Sequence, residues 1–573
     1  MRGTLGINAT KGFHHNLAKS LQWRWNTGST YGGFRPPTVT VDTATSGLTR
    51  PVSMLGMTPK GIPTKFPDAA EGIDKIFLHG DTDLTGGNDT IIGKWEVTCT
   101  PGLMWSFTDR ANAKLTAQNI AAGKATVEIT SHDTTIRIDF LGYNNVPRTF
   151  PPEAEFFFDM YPQGADKTKR VHPLFVDFYR RFSGGMIRAM SPFGTNLGYS
   201  AGITYNSITE LPDDSSISWW YTGGNSNYPV PVEILIEIAA EAGMKPWYNL
   251  PQMADTEAVV REIAANALAA MPDDMAIYVE LGNELWNSGT FKQAGDLNSR
   301  AKAAGVVSSV QHAREVLQRM RWFRAVFDDA GQGHRVRPIL AWQSTVDYAQ
   351  WARMLSETHL PDGTDTNVPL WQDLHGVAIA PYNGHALGYY DTTRQFPQEH
   401  RDLLLSDPEA FKEKAFEALS GPMFSEMASN WCAFVSNVRS FAKSVGQPLN
   451  RFQLMCYEFA VQHIIVPDGS KGGPTAEYIS AARIAFAQML RDPRMGELQV
   501  RQIEIMRDVG ADLVFFQGPG AIDESTGSGM QYGKWSITNS LVDSTSEPGA
   551  SIFHYLGNPP LRVCSPVTRG VLA

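Results

Sequence analysis

The sequence predicts an α/β protein: a (β/α)8 barrel with a β-sandwich-like module inserted after its first strand. Three observations carry that expectation. From residue 172 onward, short apolar strand-like runs alternate with helical ones. Between about residues 19 and 170 the chain is instead rich in Gly, Pro and Thr and alternates with period two. Two of the strand-like runs, Tyr278–Asn287 and Phe452–Ala460, contain a carboxylate at their ends, Glu284 and Glu458. Charge is expensive to bury without a partner, so two acids closing hydrophobic strands suggest a pair assembled across a barrel mouth.

In chain order, residues 3–8 (Gly-Thr-Leu-Gly-Ile-Asn) read as a short buried strand, with residues 1–18 forming the first barrel strand and its lead-in. The module of residues 19–170 contains three alternating runs, at 94–99, 124–130 and 135–140, separated by turn signals such as Gly86-Gly87-Asn88-Asp89. The remainder of the barrel, 171–573, opens with helical spacing over 172–182, stopped by Gly184-Gly185, and a strand from Met186 to Met190. Further strands are expected at 245–250, 277–284, 338–344, 376–382, 452–458 and 511–517, which makes eight with the first. Helices are expected near 231–243, 256–270, 306–330, 408–445 and 475–507. For 256–270, Asp255 is the expected N-cap, with Val259, Ile263, Ala267 and Ala270 on one face. A doubly wound open sheet is the rival fold, weakened because no Gly-x-Gly-x-x-Gly turn follows a strand.

The bulk numbers fit a globular chain large enough for a barrel plus an extra domain: 573 residues, 42% hydrophobic and 19% charged. A net charge of −10 with scattered acids speaks against a nucleic-acid surface. No run approaches the length of a membrane span. Cys99, Cys432, Cys456 and Cys564 show neither metal spacing nor a disulfide framework, and Cys456 is expected to share a strand face with Glu458. The histidines lack metal-binding spacing, so neither a metal nor an organic cofactor is expected. The absence of a Gly-x-Ser-x-Gly elbow argues against a serine esterase. The start lacks the apolar core of a signal peptide, which leaves cytoplasmic, leader-trimmed secreted and virion-associated locations open. The last would build the chain into a larger assembly.

Residues at the C-terminal strand ends carry the chemistry in such barrels. Here they are Asn8, Arg188, Asn249, Asn283, Glu284, Gln343, Tyr382, Glu458 and Gln517. Asn283-Glu284 closing strand four, Glu458 closing strand seven, Arg188 on strand two and Tyr382 on strand six resemble the clan A glycoside hydrolases, a TIM-barrel group of cellulase- and mannanase-like retaining enzymes. Lys245–Pro251, Tyr278–Asn287 and the stretch from His172-Pro173 to Thr195-Asn196 resemble a cellulase-like bacterial branch. The resemblance covers strand one and roughly residues 172–540, and leaves the β module outside the common core.

The resemblance implies a retaining hydrolase acting on a β-linked poly- or oligosaccharide, with Glu284 as acid/base and Glu458 as nucleophile. It implies Asn283 on the sugar 2-hydroxyl, Arg188 and Tyr382 keeping Glu458 ionised, and Trp535 stacked under the sugar. Asn249 and Trp286 join as substrate-binding or supporting residues. The chain departs from the pattern after strand three, where Leu250-Pro251-Gln252 follows Asn249 without a histidine. Glu280 is a competing acid, expected on the same strand face as Glu284 and satisfied inside the barrel by Arg188 or backbone. The alternative from another class is a non-catalytic carbohydrate-binding or structural barrel, a phage-tail component for instance.

Overall fold

The computed structural model describes the backbone of residues 4–8, 22–26, 38–40, 49–51 and 75–79, and most of 93–189, 232–345, 347–383, 396–459 and 476–516. Eight parallel strands form one sheet: β1 (Thr4–Asn8), β2 (Met186–Arg188), β3 (Lys245–Leu250), β4 (Ile277–Leu281), β5 (Val336–Ala341), β6 (Gly376–Ile379), β7 (Gln453–Phe459) and β8 (Leu513–Phe516). They are hydrogen-bonded in sequence order, and β1 also pairs with β8 (Leu5 opposite Val514), so the ring of pairings closes. The chain is thus a mixed α/β protein whose strands lie where apolar runs were expected, with ends shifted by a few residues.

Helices lie in the connections: α1 (Pro173–Arg180), α2 (Val232–Ala242), α3 (Glu257–Ala270), α4 (Lys292–Ala303), α5 (Ser308–Asp329), α6 (Tyr348–Leu355), α7 (Gln398–Ser406), α8 (Pro408–Ser420), α9 (Pro422–Ser444), α10 (Ala476–Met489) and α11 (Pro493–Val509). Two long expected helices are each split. Gly421-Pro422 ends α8 and starts α9, and Asp492-Pro493 separates α10 from α11. Proline lacks the N–H that a helix interior needs but is tolerated in the first turn, so each Pro restarts a helix rather than continuing one. The cap of α3 is Thr256, whose hydroxyl accepts from the Val259 N–H, and not the expected Asp255. No helix among the described residues is long and apolar enough to cross a membrane.

Strand alternation sorts the side chains into two cores. Ile187, Tyr248, Leu250, Ile277, Val279, Leu281, Val377, Ile379, Leu454 and Cys456 join the layer between sheet and helices. Met186, Trp247, Tyr278, Ile339, Ala378, Met455 and Tyr457 pack together inside the ring. Burying a large apolar side chain contributes about 1.5–3 kcal/mol, which makes this inner cluster a rigid floor beneath the strand ends.

Between β1 and β2 in sequence lie a two-stranded antiparallel ribbon, residues 38–40 with 49–51, and two larger antiparallel sheets. One pairs residues 22–26, 75–79, 103–107, 137–143 and 146–147; the other pairs 93–99, 113–119, 124–129 and 158–162. Trp105 and Phe140 of the first meet Phe158 of the second edge-on, at 5.1 and 5.2 Å between ring centres, so aromatic faces pack between the sheets. Gly86–Asp89, Gln517 and Trp535 lie outside the described residues.

Candidate active site

Arg188, the last residue of β2, is fully buried and points into the ring with its strand parity. Its Nε and Nη2 each lie 3.0 Å from the Glu280 carboxylate, a two-pronged pair. Nη2 also donates to Asn283 Oδ1 at 2.8 Å, and Nη1 to Glu458 Oε1 at 3.4 Å. The Tyr457 ring lies 4.8 Å from the guanidinium carbon. One cation therefore gathers residues from β4 and β7 that are far apart in sequence. Burial lowers an arginine's pKa, but Glu280 and Glu458 more than offset that and raise it.

Glu280 and Glu284 do not share a strand face by simple alternation, because β4 ends at Leu281. Gly282 (φ 68°) and Glu284 (φ 46°) are both left-handed, and they form a turn beyond the strand. A Cβ at Gly282 would come within 2.9 Å of the Leu285 side chain, so glycine suits both the backbone angle and the space. A glutamate in the left-handed region costs about 1–2 kcal/mol, and such strain persists only where surroundings enforce it. The enforcement is visible: the Gly282 N–H donates to Leu250 O at 2.8 Å, and Asn249 Nδ2 donates to Gly282 O at 2.6 Å. Gln293 Nε2 donates to Asn283 O at 3.2 Å, and the Asn287 N–H to Glu284 O at 2.8 Å.

Glu458 reaches the same place by another device. Alternation would put it with Cys456, outside the ring. Between Cys456 and Phe459, however, the β7–β8 pairing carries one extra residue on β7. Such a bulge re-aims the side chains beyond it. Cys456 stays in the helix-facing core, its Sγ 3.1 Å from Glu458 O, while the Glu458 carboxylate turns to Arg188 and Tyr382. The expected shared face of Cys456 and Glu458 is thereby corrected.

Tyr382, three residues beyond β6, joins the two acids. Its Oη lies 3.2 Å from Glu284 Oε1 and in short contact with Glu458 Oε2. With both oxygens in hydrogen-bond reach of one atom, they can be no more than about 6 Å apart. A phenol has a single hydrogen, which serves one acceptor at a time. All three oxygens are satisfied if Glu284 is protonated and donates to Tyr382, which in turn donates to Glu458.

The electrostatics agree. Burial and the Glu458 charge push Glu284 up to about 8, against a hydrogen bond from Asn287 (Nδ2 to Oε2, 3.2 Å) and the contact with Tyr382. Burial also raises Glu458, contrary to the expectation of a lowered value, but Arg188 and Tyr382 pull against it. The ion pair with Arg188 favours the charged form at Glu458. Burial and the two carboxylates raise Tyr382 and Tyr457 well above the ordinary phenol value, so both stay neutral.

Two sequence candidates sit in supporting positions: Asn249 holds the turn carbonyl, and the Trp286 ring N–H donates to Tyr457 Oη at 3.1 Å. Residue type and spacing pointed to neither Asn287 nor Gln293. Asn287 could have been found as the polar neighbour three residues beyond Glu284; Gln293 had no local signal.

No family model matches the chain, and no curated protein matches it. Among solved structures it is similar to AbfB, a family 51 α-L-arabinofuranosidase from Bifidobacterium longum, with a TM-score of 0.38, 10% identity and 68% of each chain covered. A glycoside hydrolase family 5 enzyme from Prevotella bryantii matches with a TM-score of 0.29 and 12% identity over 66% of this chain and 86% of its own. The endo-1,4-β-D-xylanase 10B of Clostridium thermocellum, complexed with xylohexaose, matches with a TM-score of 0.29 and 8% identity over 86% and 89%. These structural neighbours are glycoside hydrolases.

Proposed function

We propose that the chain is a retaining glycoside hydrolase acting on a β-linked poly- or oligosaccharide, with the eight-strand ring as a (β/α)8 catalytic barrel and residues 19–170 as an inserted β module. The observation that carries this reading is the bridge of Tyr382 between Glu284 and Glu458, with Arg188 on Glu458. An upper bound of about 6 Å between the nearest oxygens fits the spacing of about 5–5.5 Å used by retaining enzymes better than the wider gap that leaves room for a water.

In the first step the Glu458 carboxylate attacks the anomeric carbon while Glu284 gives its proton to the departing glycosidic oxygen. The glycosyl–oxygen bond breaks and a glycosyl ester of Glu458 forms. In the second step Glu284, now ionised, takes a proton from water, whose oxygen displaces Glu458 and restores both groups. Tyr382 gives its hydrogen bond to Glu458 before attack, and Arg188 steadies the charge that returns there at the end. Asn283, oriented by Arg188, is placed for the sugar 2-hydroxyl. A binding-only barrel has no use for two carboxylates held in opposite protonation states.

The test is turnover of aryl β-glycosides followed by proton NMR of the newly formed anomer. Retention of configuration, abolished in both Glu284→Gln and Glu458→Gln, supports the reading. Inversion, or no turnover across glucosides, xylosides, mannosides and galactosides, counts against it.

A further inference from the structure

Behind the acid-bearing turn lies a buried charge cluster that the proposed chemistry does not use. Glu315, on α5, accepts from Arg300 Nε and Nη2 at 2.8 and 3.1 Å, from Gln311 at 3.0 Å and from Arg319 at 3.3 Å. Its side chain is 2% exposed. A buried ion cluster of this kind is weak evidence for stability, because well-packed apolar residues of similar volume often do as well or better. Its connections point elsewhere. With its amide oriented to satisfy both ends, fully buried Gln252 accepts from Arg300 Nη2 and donates Nε2 to the Gln293 carbonyl at 2.7 Å. Fully buried Gln293 then donates its own Nε2 to Asn283 O at 3.2 Å.

Resting on the proposed glycosidase reading, we infer that Gln293, backed by the Glu315–Arg300–Gln252 cluster, is a positioning residue that holds the Asn283–Glu284 turn in its left-handed form and so aims the acid. Asn249 and Gln293 take the two successive turn carbonyls, from β3 and α4 respectively. The left-handed angle of Glu284 is the conformation that would relax first if either donor were lost. Gln293 donates to the backbone of the turn that carries the acid. It acts through the turn.

The experiment compares kcat/KM for two aryl β-glycosides of one sugar, a dinitrophenyl and a phenyl glycoside, in the wild-type chain, Glu284→Ala, Gln293→Leu and Glu315→Gln. The dinitrophenyl group leaves without a proton; the phenyl group benefits from one. In Gln293→Leu the phenyl glycoside should slow by about 10- to 100-fold, as expected for a catalytic group displaced by around an ångström. The dinitrophenyl glycoside should slow by less than about threefold, since acid assistance is not needed there. Glu315→Gln should show the same selectivity more weakly, and it keeps the comparison available if Gln293→Leu does not fold. Equal losses on both substrates, or no loss on either, would overturn the inference and leave Gln293 a structural residue. If Glu284→Ala shows the leaving-group dependence and the two positioning variants do not, the inference falls and the glycosidase reading stands. If the wild-type chain turns over neither substrate, both fall.

Discussion

Glu284 and Glu315 belong to the same connection between β4 and β5, and burial pushes both toward the neutral form. They end in opposite states. Around Glu315, Arg319, Arg300 and Gln311 outweigh burial and hold its pKa below the ordinary carboxylate value. Glu284 has two neutral hydrogen-bond partners, Asn287 and Tyr382, and faces a second carboxylate, so burial and that charge raise its pKa to about 8. The backbones differ too: Glu315 sits in a regular helix, Glu284 in a strained turn. What faces a buried carboxylate, more than how deeply it lies, decides whether it braces a fold or carries a proton.

The sharpest way to break the contrast is to remove each carboxylate in turn. Glu284→Gln should lower hydrolysis of a phenyl glycoside by about 100- to 10,000-fold with little change in stability, as loss of a general acid does. Glu315→Ala should do the reverse in kind. It strands Arg319 and Arg300 beside a vanished partner, which costs about 3–5 kcal/mol in urea unfolding. A smaller effect separates the backbones. Glu284→Gly should gain about 1 kcal/mol by relieving the left-handed angle while phenyl-glycoside turnover falls as in Glu284→Gln, so stability and activity move in opposite directions. A loss of stability on that substitution would mean the turn is not strained.

The mildest probe is pH. Glu284 must be protonated to act, so kcat/KM should fall as pH rises through about 8, and Asn287→Ala should move that edge upward by removing a donor to the carboxylate. Glu315 has the opposite sign. Its folded pKa is depressed, so its contribution to stability is present above the unfolded carboxylate value and is lost as pH falls through the folded one. An alkaline activity edge unmoved by Asn287→Ala would sever the link between Glu284 and that edge.

Much of this organisation was legible in the chain. Apolar runs of four to seven residues marked strands, and helical spacing marked the segments between, because the two periodicities follow from backbone geometry alone. Arg188 and Glu280 were readable as an interior pair, since both obey the alternation of regular strands and Arg188 is a fitting partner for a buried acid. The expected helices over 408–445 and 475–507 overlooked Gly421-Pro422 and Asp492-Pro493, where local chemistry forbids continuation.

What remained was settled by contacts between distant segments. Alternation holds only while the ladder is regular, and a single extra residue on β7 swings Glu458 from the helix side to the mouth. Glu284 reaches it through a left-handed turn held by Asn249 from β3, which its strand-end place marked, and by Gln293 from α4, which no local pattern marked. The protonation of the pair depends on Arg188 standing nearer one acid than the other, across 270 residues of sequence for Glu458. The sequence by itself determined which residues could carry charge into the ring and where the strands that bear them run. Only the tertiary structure decided which carboxylate meets a cation and which keeps its proton, because Coulomb energy and desolvation depend on distances in space that no local pattern encodes.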